Sequence, residues 1–244
     1  MHPLSARDLM QVWEWGQGQH PVDRALTLLA VACPEMTPDE LAAFSVGQRD
    51  SLLLALRELV FGPRLNGYVE CPRCSERLEF SLLVEDLRPA DAAETKKAEL
   101  TFTKDGIQVR YRLPDSLDLA AVASCDDVAE ARNLLIRRCI SGAHRGETQI
   151  DMEALPDTVI TALGTHLAQQ DALAEVQLDL HCPACGHGWP MMLDILSFLW
   201  TEISALTKRL LHEVHTLARA YGWPEADILS MSARRRQLYL EMVT

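Results

Sequence analysis

The fold of this chain is decided by two copies of one short motif, Cys71-Pro72-Arg73-Cys74 and Cys182-Pro183-Ala184-Cys185. Each copy places two thiols on a tight turn, and the proline stiffens that turn. On both sides of each motif the residues alternate between apolar and polar, as they do in a β-strand. The sequence therefore predicts two similar antiparallel hairpins, each with a pair of cysteines at its tip.

The two motifs are related by a shift of 111 residues, and the apolar strand positions coincide at that shift. The matching pairs are Val69 with Leu180, Phe80 with Met191, and Leu82 with Leu193. A closed structural zinc site needs four ligands in a tetrahedron, which two such hairpins can supply together. We therefore predict one structural Zn2+ per chain in a split, zinc-ribbon-like site. The predicted ligands are Cys71, Cys74, Cys182 and Cys185.

The gap between the two pairs is long for a zinc ribbon. It measures 107 residues here, whereas about 15–20 residues are usual. The entropic cost of closing a loop grows only with the logarithm of its length, so the gap does not forbid the pairing. It does require that the intervening residues fold as an insertion whose ends lie close together.

Two other uses of the cysteine pairs remain open. Thioredoxin-like enzymes use Cys-Pro-x-Cys for redox chemistry, although a helix follows the motif there and a strand pattern follows it here. The second alternative is a zinc ion shared between two chains, with one pair from each. The remaining cysteines, Cys33, Cys125 and Cys139, lie in helical patterns and are predicted to be small core residues.

Helical patterns surround the β region. Thr37 with Glu40 and Ser45 with Gln48 form capping boxes that predict two helix starts. An additional hairpin is predicted around Asp105-Gly106, and a helix over residues 117–140 that restarts near residues 124–127. A long C-terminal helix is indicated by apolar residues three and four apart, from Leu196 through Ile203 and Leu210 to Leu217.

These patterns predict an α+β fold that is mainly helical. It has a small antiparallel β region with the four-cysteine site, and a long C-terminal helix. We divide the chain into an N-terminal helical segment (1–66), a knuckle-bearing β region (67–194) with a helical insertion (about 114–171), and a C-terminal segment of helices (195–244).

Composition excludes several functional classes. The 244 residues contain 23 Lys and Arg against 35 Asp and Glu, a net charge of −12, which opposes nucleic-acid binding. Neither a membrane span nor a secretory signal is visible, so a cytoplasmic location is expected. The chain lacks the motifs G-x-S-x-G and the Walker loop, and a zinc ion with four thiolates has no open position. We therefore expect a protein that is not an enzyme.

The acidity is concentrated in residues 1–200, which carry 17 basic and 30 acidic residues, whereas residues 201–244 carry six and five. This nearly neutral tail mixes aromatic residues, methionine and arginine, a composition that is enriched at protein interfaces. We predict that the tail binds a partner; the alternative, slightly favoured by the sequence, is that its apolar residues pack on the long helix. The candidates are Tyr221, Trp223, Ile228, Leu229, Met231, Arg234, Arg235 and Tyr239.

Several stretches of the chain resemble a known family, the baseplate hub assembly chaperones of contractile-tailed bacteriophages and phage-like contractile injection systems. The similar stretches are residues 18–26, the two cysteine motifs with their flanks (70–74 and 181–186), and residues 220–231 and 234–240. The resemblance implies a non-enzymatic role in building a baseplate or central hub, with baseplate, hub or spike proteins as partners. Two other classes remain open: a zinc-ribbon regulator that binds nucleic acid, and a thiol-disulfide oxidoreductase.

Overall fold

The computed structural model describes residues 1–87 and 99–243, and these fold mainly into helices with three small antiparallel sheets. The prediction of a mainly helical α+β fold with a long C-terminal helix is confirmed. The helices are α1 (Ala6–Gly16), α2 (Pro21–Ala32), α3 (Pro38–Ala42), α4 (Val46–Phe61), α5 (Val84–Leu87), α6 (Ser116–Val122), α7 (Val128–Cys139), α8 (Asp157–Gln170), α9 (Ile195–Tyr221), α10 (Glu225–Ser230) and α11 (Ala233–Glu241). Within the described ranges, no helix is both long and apolar enough to cross a bilayer.

The strands form two separate hairpins and one four-stranded sheet. They are β1 (Arg64–Glu70), β2 (Arg77–Leu83), β3 (Leu100–Lys104), β4 (Ile107–Tyr111), β5 (Ile140–Arg145), β6 (Thr148–Gln149), β7 (Gln177–His181) and β8 (Gly188–Met192). The hairpins β1–β2 and β7–β8 are the two that the cysteine motifs predict, and each motif lies at the tip of its hairpin.

Local sequence signals determine where the N-terminal helices begin. In the first predicted capping box, the hydroxyl of Thr37 accepts a hydrogen bond from the Glu40 N–H, and the Glu40 carboxylate accepts one from the Thr37 N–H. The box formed by Ser45 and Gln48 starts α4 in the same way. The apolar faces of these helices pack in the main core together with the bases of both hairpins and the start of α9.

The insertion between the hairpins has its own buried cluster and a sheet of order β3-β4-β5-β6. The predicted turn at Asp105-Gly106 joins β3 to β4, and the predicted helix restart is real, because Asp127 caps α7 by accepting from the Glu130 N–H at 2.8 Å. The strand β5 is absent from the sequence prediction. It follows α7 directly and pairs with β4, so long-range pairing sets its conformation.

Two segments of the insertion are attached to the first turn of α4. The Val46 N–H donates to the carbonyl oxygen of Pro114 at 2.9 Å, and the neighbouring Gly47 N–H donates to Oδ2 of Asp171, also at 2.9 Å. These two amides belong to the helix start, where N–H groups have no partner within the helix. The insertion is therefore held to the body at one place by two of its segments, the one that follows β4 and the one that follows α8.

The helix α9 links the main core to a smaller C-terminal cluster. Its first half contributes Leu199 and Ile203 to the main core, and both are fully buried. Its second half packs against α1, α10 and α11. A bidentate ion pair holds α9 against α4, with Arg57 Nε and Nη2 donating to Glu202 at 2.9 and 2.7 Å.

Candidate metal centre

The two knuckles, residues 71–75 and 182–186, share one backbone geometry. In each, the residue after the second cysteine has a left-handed backbone, with φ 59° at Ser75 and 70° at Gly186. The amide of that residue donates to the carbonyl oxygen of the first cysteine, Cys71 or Cys182, at 2.9 Å in both knuckles. Glycine adopts this conformation without strain, so the glycine at position 186 indicates the left-handed turn already in the sequence. Ser75 carries no such signal, and its role is visible only in the structure.

Four sulfur atoms converge from the two hairpin tips. All four Sγ atoms lie within 4.8 Å of one another. Two contacts join one knuckle to the other, at 3.7 Å between Cys71 and Cys185 and 3.6 Å between Cys74 and Cys182. A tetrahedron with zinc–sulfur bonds of about 2.3 Å places its sulfur atoms about 3.8 Å apart. The four predicted residues thus lie close enough to hold a metal ion.

The thiols of the cluster differ in how readily they ionise. Burial opposes ionisation of Cys71, but hydrogen bonds from the N–H groups of Arg73 and Cys74 and from neighbouring thiols bring its pKa down to about 7. At Cys74 the N–H of Glu76 favours the thiolate, yet the surrounding sulfurs, that of Cys185 above all, raise its pKa to about 12. Ionisation of one thiol is therefore easy, but the negative charge of that thiolate opposes ionisation of a second thiol. A divalent cation relieves that repulsion, so the donor set suits a metal ion.

The cluster is shielded on one side and open on the other. Cys71 and Cys182 are buried, Cys185 is half-buried and Cys74 is exposed. The neighbouring histidines lie outside this group of ligand atoms. The imidazole of His187 stacks on the indole ring of Trp189, with ring centroids 5.8 Å apart, next to the second knuckle.

The other three cysteines lie apart from the cluster. Cys33 and Cys139 are buried and Cys125 is half-buried. Burial raises the pKa of Cys33, and burial followed by the nearby Asp118 carboxylate raises the pKa of Cys139 to about 12. The prediction of small core residues is confirmed for the two that are buried.

The predicted partner-binding segment folds back onto α9 and, with residues 206–221 of that helix, forms what we call the C-terminal cap (residues 206–243). Ile228 and Leu229 are buried in the cap cluster and serve its packing. Tyr221, Trp223 and Tyr239 pack on one another, with ring centroids 4.4–5.7 Å apart. Ile228 and Leu229 are thus enclosed in the intact cap, whereas the three aromatic side chains are half-buried and keep part of their surface exposed.

The arginines of the cap have different environments. Arg236 is buried and donates to Glu213 at 2.8 Å, which joins α11 to α9. Arg234 and Arg235 are exposed, and Met231 is half-buried. The two exposed arginines are among the predicted partner-binding residues, whereas Arg236, whose partner is 23 residues away in the sequence, is not.

Comparison with known proteins gives one match. The family model described as T4 bacteriophage base plate protein matches residues 6–200, from α1 to the first turns of α9. Both knuckles and the whole insertion lie inside this range, whereas the C-terminal cap lies outside it. No curated protein and no solved structure matches the chain.

Proposed function

The chain belongs to the family of T4 bacteriophage base plate proteins, and from this premise we propose that it is an assembly chaperone or adaptor for a baseplate or central hub. The assembly would be a contractile phage tail or a phage-like contractile injection system. One observation carries the proposal, namely the family match over residues 6–200. Family membership supports a structural role in a baseplate, and the partners we propose are baseplate, hub or spike proteins.

We further propose that the four-cysteine cluster holds one structural Zn2+. Tetrahedral coordination by four sulfurs is typical of zinc, and the distances between the Sγ atoms fit such a tetrahedron. All four cysteines come from one chain, which supports an intramolecular site over one shared by two chains. Such an ion would tie β1–β2 to β7–β8, and with them the sequence on both sides of the insertion.

The proposed role is not enzymatic. An ion with four protein thiolates offers no open position to a substrate or to an activated water. What the described residues build instead is a body with two hairpins that meet at the four-cysteine cluster, and a long helix that ends in a separate cap. We propose that this body binds and presents other baseplate proteins during assembly in the bacterial cytoplasm.

Deletion of the gene from an otherwise complete tail or injection-system cluster tests the proposal. We expect particles without a complete baseplate, with hub proteins appearing in the insoluble fraction, and restoration of assembly when the chain is supplied from a plasmid. Assembly of normal, functional particles without the chain would overturn the proposal.

Mass spectrometry of the purified particles separates the two forms of the proposed role. A chaperone is absent from finished particles, whereas an adaptor is retained in a fixed ratio to the other baseplate proteins. In the complementation experiment, a second plasmid carries Cys125→Ser, a change at a cysteine outside the cluster, as a control for lost folding. This variant should restore assembly as well as the wild type does.

A further inference from the structure

The helix α11 packs on α9 through one face, and a buried arginine fixes that face. Arg236 is only 5% exposed, and it donates to Glu213 at 2.8 Å and to the carbonyl oxygen of Met231 at 2.6 Å. Tyr239 and Leu240, three and four residues further on, are half-buried on the same side. The opposite side is the outer face of α11. It exposes Arg234, Arg235, Leu238 and Met242, with one carboxylate, Glu241, at its edge, where it accepts a hydrogen bond from Gln237 at 3.2 Å.

Two apolar side chains stand out on the outer face. Leu238 is 49% exposed and Met242 is 72% exposed. They are four residues apart, and Arg234 precedes Leu238 by four, so the three form a continuous stripe along one side of the helix. Arginine and methionine are enriched where proteins meet.

The arginines of the outer face are badly placed for the stability of the helix. Ser232 caps α11, and its first turn then contains three arginines and no acidic residue. Positive charge at a helix N-terminus is unfavourable, because the helix dipole is positive there. Glu213 compensates Arg236, but among the residues that the structure describes no carboxylate forms an ion pair with Arg234 or Arg235. The guanidinium of Arg235 lies 5.7 Å from the centroid of the Tyr239 ring, a cation–π contact that leaves its charge without an anionic partner. An acidic ligand would supply such a partner to both arginines.

The distribution of charge along the chain also favours the outer face of α11 as the site for an acidic partner. Residues 1–200 carry 30 acidic and 17 basic residues, so an acidic partner is repelled by most of the protein. The outer face of α11 is an exposed positive site on a tail that is nearly neutral. It also lies beyond residue 200, where the match to the family model ends. A partner bound to this face would therefore contact a segment that the family model does not match.

We propose that the outer face of α11 binds an acidic amphipathic helix of another baseplate or hub protein. Carboxylates of that helix pair with Arg234 and Arg235, and its apolar side chains cover Leu238 and Met242. The proposal rests on the proposed function, which supplies the kind of partner. A second copy of this chain is a poorer occupant, because both copies carry a net charge of −12.

The test uses the full-length chain and each purified baseplate and hub protein of the same system, with affinity measured by calorimetry. The variant R234E/R235E should bind its partner at least about tenfold more weakly at low salt, and the difference should shrink near 0.5 M salt. The variant L238A/M242A should lose a similar factor at both salt concentrations. The matched control K104E/R145E changes the net charge equally at exposed positions of the insertion, and it should bind like the wild type.

A measurement on the free protein guards against misfolding. Acidic residues suit a helix N-terminus, and this gain offsets loss of the contact between Arg235 and the Tyr239 ring, so the thermal midpoint of R234E/R235E should stay close to that of the wild type. Binding of R234E/R235E as tight as that of the control would overturn the docking proposal and leave the proposed function intact. Self-association of the wild-type chain that R234E/R235E abolishes, seen by sedimentation, would overturn it in favour of a second copy. Failure of the wild type to bind any baseplate or hub protein would overturn the proposed function as well.

Discussion

Gly47 and Asp171 are 124 residues apart in the sequence, yet the Gly47 N–H donates to Oδ2 of Asp171 at 2.9 Å. The contact attaches the end of the insertion to the start of α4, one residue away from the place where the Val46 N–H holds Pro114. It brings the chain back to the body six residues before β7 begins. Because the chain is held to the body at Asp171, the hairpin β7–β8 begins close to the body, and its knuckle can reach the knuckle of β1–β2.

Gly47→Ala should destabilise the protein. A Cβ atom at Gly47 would collide with the Asp171 carboxylate and would lie 3.2 Å from the backbone nitrogen of Ala174. We expect the free energy of unfolding to fall by about 1–3 kcal/mol in urea denaturation, the range typical of overpacking. The control is Gly18→Ala, since nothing lies within 4 Å of a Cβ there. Equal stability of the two variants would contradict this account of the contact.

Cys71→Ser should abolish tight metal binding. Three thiolates and a hydroxyl form a poorer site than four thiolates, so the zinc content measured by elemental analysis should fall from one ion per chain to a small fraction. The thermal midpoint should fall with it, and a chelator should lower the midpoint of the wild type in the same way. Cys125→Ser should keep its zinc. A metal-free wild type that reduces insulin disulfides would favour the oxidoreductase alternative instead.

Arg57→Met should be strongly destabilising, because it leaves Glu202 without its partner in a largely buried position. The two side chains are 3% and 22% exposed. Loss of one partner of a buried ion pair costs about 3–5 kcal/mol, whereas replacement of both by apolar residues costs far less. The double variant R57M/E202M should therefore recover much of the loss in urea denaturation. Additive effects of the two substitutions would show that the ion pair is not coupled.

Asp118 should make the stability of the insertion depend on pH. Burial opposes ionisation of its side chain, but hydrogen bonds from Arg112 and Arg138 and from the Asp115 N–H hold its pKa below the ordinary value. A lowered pKa stabilises the folded state above the pKa of the unfolded state, about 3.9, and this contribution is lost as the pH falls through the folded value.

Asp118→Asn should therefore cost about 2 kcal/mol at pH 7, with the difference from wild type shrinking below about pH 4. Chemical denaturation at a series of pH values measures it. Glu99→Gln makes the same charge change in an exposed pair with Arg110 and should have a small effect at every pH. A constant difference between Asp118→Asn and wild type from pH 7 to pH 3 would contradict the role of the carboxylate charge.

Local signals made much of the fold predictable. The capping boxes, the Asp105-Gly106 turn and the two knuckles each lie within a few residues of sequence, and the structure has all of them. The strand β5 escaped prediction because its conformation depends on pairing with β4. Its residue Gly142 lies against the guanidinium of Arg110, so even that glycine serves a contact that is distant in sequence.

In the candidate site, too, local sequence predicted some features, whereas others depend on contacts between residues far apart in the sequence. The spacing of the cysteines predicted the four residues that converge at the hairpin tips, but the contact between Gly47 and Asp171, which holds the end of the insertion to α4, has no local signature. In the tail, composition singled out eight residues as one group. The structure separates the buried Ile228 and Leu229 from the exposed Arg234 and Arg235, because the first two pack against distant residues of α1 and α9.

The helix α9 has a mechanical consequence. It runs for 27 residues without a glycine or a proline, a length of about 40 Å. One end is embedded in the main core and the other in the C-terminal cap, so the two share a single stiff rod with no hinge between them. A force applied to the cap by anything attached to it is therefore carried into the body, and does not dissipate in a flexible joint.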